Sequence, residues 1–77
     1  MKNIPNKYIG NQLQQQRIKK MIKQDTLAKQ INVSTSYISK LENGTVKITT
    51  VLLIQYCVAI GVDYISIVND VAEMIIS

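Results

Sequence analysis

Between Gln24 and Gly44 the chain reads QDTLAKQINVSTSYISKLENG. Two short runs with helical apolar spacing, the first from Gln24 to Ile31 and the second from a cap at Ser34 through Glu42, are joined by a tight turn at Asn32-Val33. Leu27, Ala28 and Ile31 mark the inner face of the first run, and Ile38 and Leu41 that of the second. Asn32 suits a left-handed helix end, being the non-glycine residue that best tolerates one. Ser34 is placed to cap the second helix, and Asn43-Gly44 to stop it. The two helices must therefore pack closely, with Ala28 kept small where the second crosses the first. Packing makes no demand on Thr35, Ser36, Ser39 and Lys40, and that outer face is all hydroxyls and a cation.

The rest of the chain supplies a scaffold for this pair. Residues 1–7 read as a basic N-terminal arm, since Pro5 and two asparagines oppose early helix. A first helix is expected from Tyr8 to Ile22, with Ile9, Leu13, Ile18, Met21 and Ile22 inward. Arg17 interrupts that stripe, four residues from both Leu13 and Met21. A charge placed there must be paired or it costs several kcal/mol. Glu42 borders the inner face of the third helix and is the expected partner. Thr49 or Thr50 caps a fourth helix that Gly61 ends. It is apolar on more than one side, so it is expected to be largely buried. Asp63 caps a fifth, from Tyr64 to about Ile76.

That fifth helix carries two apolar stripes. Ile65, Val68, Ala72 and Ile75 form one, and Tyr64, Ile67, Val71 and Met74 the other. One stripe closes the core. The second, taken as Tyr64, Ile67, Val71 and Met74, is left as an interface for a second copy. A chain of 77 residues gains from such a partner, because its core is small. With one cysteine and no histidine, neither an internal disulfide nor a Cys/His zinc site is available to staple it. Cys57 reads as a small buried hydrophobe.

Charge is divided along the chain. Residues 1–47 hold every Lys and Arg and two acids, a net +7, while residues 48–77 hold three acids and no base. This favours a polyanion at the front of the molecule. The N-terminus lacks the apolar run of a signal peptide, and the longest apolar stretch, VLLIQYCVAIGV, is too short for a bilayer. The expected location is the cytoplasm, with no membrane association. No nucleophile–base pair, phosphate loop or metal-ligand spacing supports catalysis, so no enzyme, cofactor, metal or small-molecule ligand is expected.

Two short helices joined by a tight turn are the plan of a helix-turn-helix, whose second helix enters the DNA major groove. Here the sequence resembles the Cro/phage-repressor (XRE) family. The likeness lies in Gln24, Leu27-Ala28, Val33-Ser34, Tyr37-Ile38-Ser39 and Leu41-Glu42-Asn43-Gly44, and extends through LLIQYCVAIGVD. It implies an all-α, compact five-helix, lambda-repressor-like domain with helices two and three as the motif. By the same resemblance Thr35, Ser36 and Lys40 face bases. Gln24, Ser34, Ser39, Asn43 and Lys47 face phosphates, and Arg17 with Glu42 matches an internal ion pair. The turn glycine of the family is Asn32 here, and the proline usual before helix four is absent. The implied function is a transcriptional regulator, repressor above all, acting as a homodimer on a palindromic double-stranded operator. A different class also fits: a helical interaction module, such as an antitoxin, whose apolar fifth helix grips another protein.

Overall fold

The structure is a computed structural model that describes residues 6–76, with side chains described through Glu73. Five α-helices follow one another: α1 Asn6–Lys19, α2 Gln24–Gln30, α3 Thr35–Glu42, α4 Thr50–Ile60 and α5 Tyr64–Ile76. The expected all-α, five-helix order is borne out. α2 and α3 make the most extensive contact, and α1 and α4 back them from inside.

The first helix differs from its expected bounds at both ends. Asn6 is already helical, and its Nδ2 donates to the Val46 carbonyl at 3.3 Å. Asn6 and Lys7 thus belong to the folded domain, and the rest of the expected arm, residues 1–5, lies outside the described residues. At the other end α1 stops at Lys19 instead of running to Ile22. Met21 turns left-handed at φ 59°, and the Ile22 N–H returns to the Arg17 carbonyl at 3.2 Å. This closure leaves Ile18 57% and Met21 90% exposed, although both were expected inside.

Three more helices end in the same way. Val33 N–H reaches Ala28 O past Asn32, Thr45 N–H reaches Lys40 O past Gly44, and Val62 N–H reaches Cys57 O past Gly61. Each bond spans five residues at 2.9 Å across a left-handed residue, satisfying a carbonyl the helix leaves open. Asparagine and glycine accept that backbone readily; methionine, with its Cβ, is strained there by about 1–2 kcal/mol. Met21→Gly is therefore expected to stabilise the domain by about 0.5–1 kcal/mol, after allowing for glycine's larger unfolded-state entropy. Thermal unfolding would show this as a midpoint raised by about 2–8 °C. A lowered midpoint would mean that the Met21 side chain contributes contacts that outweigh its backbone strain.

The starts of α3, α4 and α5 are capped by side chains. Ser34 Oγ accepts from Tyr37 N at 3.0 Å, Thr49 Oγ1 from Leu52 N at 3.2 Å, and Asp63 Oδ1 from Ile65 N at 3.0 Å. Between them lies an aliphatic core built on Leu13, Leu27, Ile38, Leu41, Leu52 and Ile60, with Tyr56 and Cys57 fully buried. Burial, helped by Asp63, pushes the Cys57 thiol up to about 11, as befits a packing residue.

Two burial expectations are corrected here. α4 is buried except along one strip: Val51 and Val58 remain 65% and 71% exposed, because α1, α2 and α5 all pack on its other faces. In α5 the stripes exchange roles. Ile67 is 1% exposed and Val71 packs on the core, so these two close the fold and do not form an outward patch. Tyr64 sits at the margin at 38%, and the Met74 side chain lies outside the described residues. Ile65 and Val68, from the other stripe, face outward. Both stripes are apolar and lie side by side, so only the docking of α5 on α1 and α4 selects between them.

Candidate nucleic-acid interface

At 3.6 residues per turn, positions 35, 36, 39, 40 and 43 fall within an arc of about 140° on one side of α3. Thr35, Ser36, Ser39, Lys40 and Asn43 are all exposed, while Ile38 and Leu41 on the far side, and Glu42 at the margin beside Thr35, are buried. The outer face therefore owes nothing to packing. Ser34 caps the helix with its oxygen, which leaves its hydroxyl proton free to donate outward. Asn43 accepts from Thr45 N at 3.2 Å and shapes the loop that carries Lys47, itself exposed. Tyr37 is half-buried against the core and sits apart from this face.

Beside the packing of Ile38 and Leu41, the carboxylate of Glu42 ties α3 to its neighbours. Arg17 Nε lies 2.7 Å from Oε2 and Nη2 lies 3.1 Å from Oε1, a forked pair joining α1 to α3. Gln24 Nε2, from the first residue of α2, donates to Oε1 at 3.0 Å, and the Tyr56 hydroxyl of α4 donates to Oε2. Each oxygen accepts two bonds, which fills the capacity of a carboxylate. Arg17 spends its remaining arm on the Ile22 carbonyl at 2.7 Å, the residue that closes α1. Among the described residues no buried side-chain polar atom lacks a partner. Three other helices thus converge on one residue of α3.

The electrostatics follow from that geometry. Burial pushes the Glu42 carboxyl up, but the bonds from Arg17, Tyr56 and Gln24 together outweigh it and hold the group below its ordinary value. The same contact with Glu42 raises Arg17 against the effect of desolvation. Burial, and then the bond to Glu42, raise Tyr56 far out of the physiological range. The cluster is one cation, one anion and two neutral donors at neutral pH.

The residues expected to face DNA are divided by the structure into two sets. Thr35, Ser36, Ser39, Lys40 and Asn43 share one exposed side of α3, and Ser34 at its start and Lys47 in the following loop are exposed as well. Gln24 stands at the edge of that side, with its amide already committed to Glu42. Tyr56 had no role in the sequence reading. Its signal was a lone hydroxyl in an aliphatic helix, which needs an acceptor when buried. Gly10 was also passed over, although a glycine inside a helical pattern often marks a close approach.

A family model described as helix-turn-helix matches residues 13–66, so the chain belongs to that family, the Cro/C1-type DNA-binding regulators, which are not enzymes. The fold is the lambda-repressor-like five-helix form of the motif. Among solved structures it is similar to the clp gene regulator ClgR from Corynebacterium glutamicum. One crystal structure matches with 26% identity and a TM-score of 0.84, covering 95% of each chain. A second structure of ClgR matches with 26% identity and a TM-score of 0.83, covering 96% of this chain and 79% of that one. No curated protein matches the chain in sequence. Among the described residues no helix is long and apolar enough to cross a membrane, and no cluster of His, Cys, Asp or Glu is placed to hold a metal ion.

Proposed function

We propose that the protein represses transcription by binding a palindromic operator as a homodimer, with α3 of each copy in a major groove. The observation that carries this reading is the exposed hydroxyl-and-lysine face of α3, held from behind by Glu42. Thr35 and Ser36 meet base edges, with the threonine methyl suited to thymine, and Lys40 reaches guanine O6 or N7. Ser34, Ser39, Asn43 and Lys47 hold flanking phosphates, and Gln24 adds a contact from α2. Hydroxyls pair with any base, so part of the specificity comes from how readily the operator bends. The likeness to ClgR, a gene regulator by its name, supports a role in transcription.

The dimer surface in this proposal is the outward apolar set, Val58, Tyr64, Ile65 and Val68. Two-fold symmetry through that surface presents the α3 helices to half-sites about 34 Å apart. Footprinting on the promoter of the protein's own gene tests this: two protected half-sites one helical turn apart are expected. A single short footprint, or none, would count against it. Lys40→Ala is expected to weaken operator binding by about 5- to 150-fold, the worth of a specific base contact. Binding to scrambled duplex should fall far less. Equal losses on both duplexes would make Lys40 a phosphate contact instead.

The same outward residues support a second reading, in which a different protein covers them and DNA binding is secondary. Sedimentation of the purified chain separates the two: a dimer supports the first reading, and a monomer that dimerises on no DNA supports the second.

A further inference from the structure

The loop after α3 is fastened to the beginning of α1. Gly44 is left-handed at φ 81°, and a Cβ placed on it would lie 2.5 Å from both Cα and N of Lys7. One residue earlier, Asn6 Nδ2 holds the Val46 carbonyl at 3.3 Å. These two contacts clamp the first turn of α1 on either side of the loop's middle. Lys7 is exposed there, and so is Lys47, immediately beyond the clamped carbonyl. Neither joined segment, Asn6-Lys7-Tyr8 or Asn43-Gly44-Thr45-Val46-Lys47, contains an acid. Two lysines are thus carried on one backbone junction with no carboxylate in either strand of it.

We propose that Lys7 is a further phosphate-contacting residue, locked beside the loop by Gly44 and Asn6, so that the grip on the DNA backbone extends from the end of α3 onto α1. This rests on the DNA-binding reading and adds a residue to it. A lysine on a mobile tail loses its conformational freedom on binding, whereas Lys7 stands on a fixed helical turn and keeps a constant offset from the loop. Asn6 is a positioning residue in this account, since it holds the junction without facing the duplex. The contact is with phosphate because an ammonium on this edge lies beyond the arc of α3 that faces the bases.

The test is a titration of the full chain against its footprinted operator and a scrambled duplex, by fluorescence anisotropy, between about 50 and 200 mM salt. Wild type is compared with Lys7→Gln, Lys7→Arg, Lys47→Gln and Lys20→Gln, the last in the turn beyond the far end of α1. Each phosphate contact contributes about 0.9 to the slope of log K on log salt. Lys7→Gln is therefore expected to flatten the slope by about 0.9 on both duplexes, with an unchanged melting midpoint. Over this salt range wild type would lose about threefold more affinity than the variant. Lys7→Arg should keep the wild-type slope. The proposal is overturned if Lys7→Gln keeps the wild-type slope while Lys47→Gln flattens it. It is equally overturned if Lys20→Gln flattens the slope as much as Lys7→Gln does, since the effect is then one of net charge. Failure of wild type to bind either duplex would sink the DNA-binding reading itself, and Lys7's role with it.

Discussion

Arg17→Met is expected to remove about 3–5 kcal/mol of stability, the usual consequence of leaving one partner of an interior ion pair alone. A chain of this length has only about 4–12 kcal/mol in total, so the variant should melt far below wild type or be unfolded outright. Two losses combine. Glu42 retains Tyr56 and Gln24 but no cation, and the Ile22 carbonyl loses the Nη1 that holds the end of α1. Adding Glu42→Gln removes the stranded charge while keeping an acceptor for Tyr56, and should restore roughly half of the loss. Circular dichroism during thermal or urea unfolding reads both. Wild-type melting of Arg17→Met would show that the pair contributes nothing net.

The same residue sets an acid limit. The folded Glu42 carboxyl titrates below its ordinary 4.5, so its contribution is complete above that value and disappears as pH falls through the lowered folded value. Stability should thus drop on acidification below about pH 4.5, and Glu42→Gln should flatten that limb. Arg17 moves the opposite way, upward from an already high value, so it adds no loss in the neutral range.

Gly10→Ala is the second large effect, and its sign is opposite to what helix propensity predicts. In an exposed helix interior the change gains about 1 kcal/mol. Here a Cβ on Gly10 would stand 2.6 Å from the Glu42 carbonyl oxygen and closer still to that of Leu41. Both are backbone atoms at the end of α3, so neither can swing aside. The helices must separate, and overpacking of this kind costs about 1–3 kcal/mol beyond the propensity gained. The expected net result is a midpoint lower by several degrees and, because α3 moves with the contact, weaker operator binding. A stabilised Gly10→Ala protein would show that α1 and α3 approach less closely than the structure has them.

Local chemistry made much of this molecule readable in advance. Ser34, Thr49, Asn32, Gly44 and Gly61 each satisfy a helix end by themselves or with near neighbours, so their positions mark the helices without any tertiary knowledge. The outer face of α3 was legible for the same reason, as whatever the inner positions leave over. Met21 escaped because a left-handed methionine contradicts its own propensity, and the closure at Arg17 and Ile22 decides it. The stripes of α5 were exchanged because two equal apolar faces give no local preference. The fourfold sharing of Glu42 lay further out of reach, since it requires three other helices to be placed first. Lys7 belongs with these. It reads as part of a basic arm until the loop it packs against is placed.

Glu42 has one more consequence, for how such a regulator changes its target. The side-chain hydrogen bonds that tie α3 to its neighbours meet at a single buried carboxylate, apart from its exposed residues. Thr35, Ser36 and Lys40, the proposed base contacts, are exposed and take no part in those bonds. In the proposed DNA-binding reading, new operators are acquired by repainting the three base-facing positions while the mounting stays as it is.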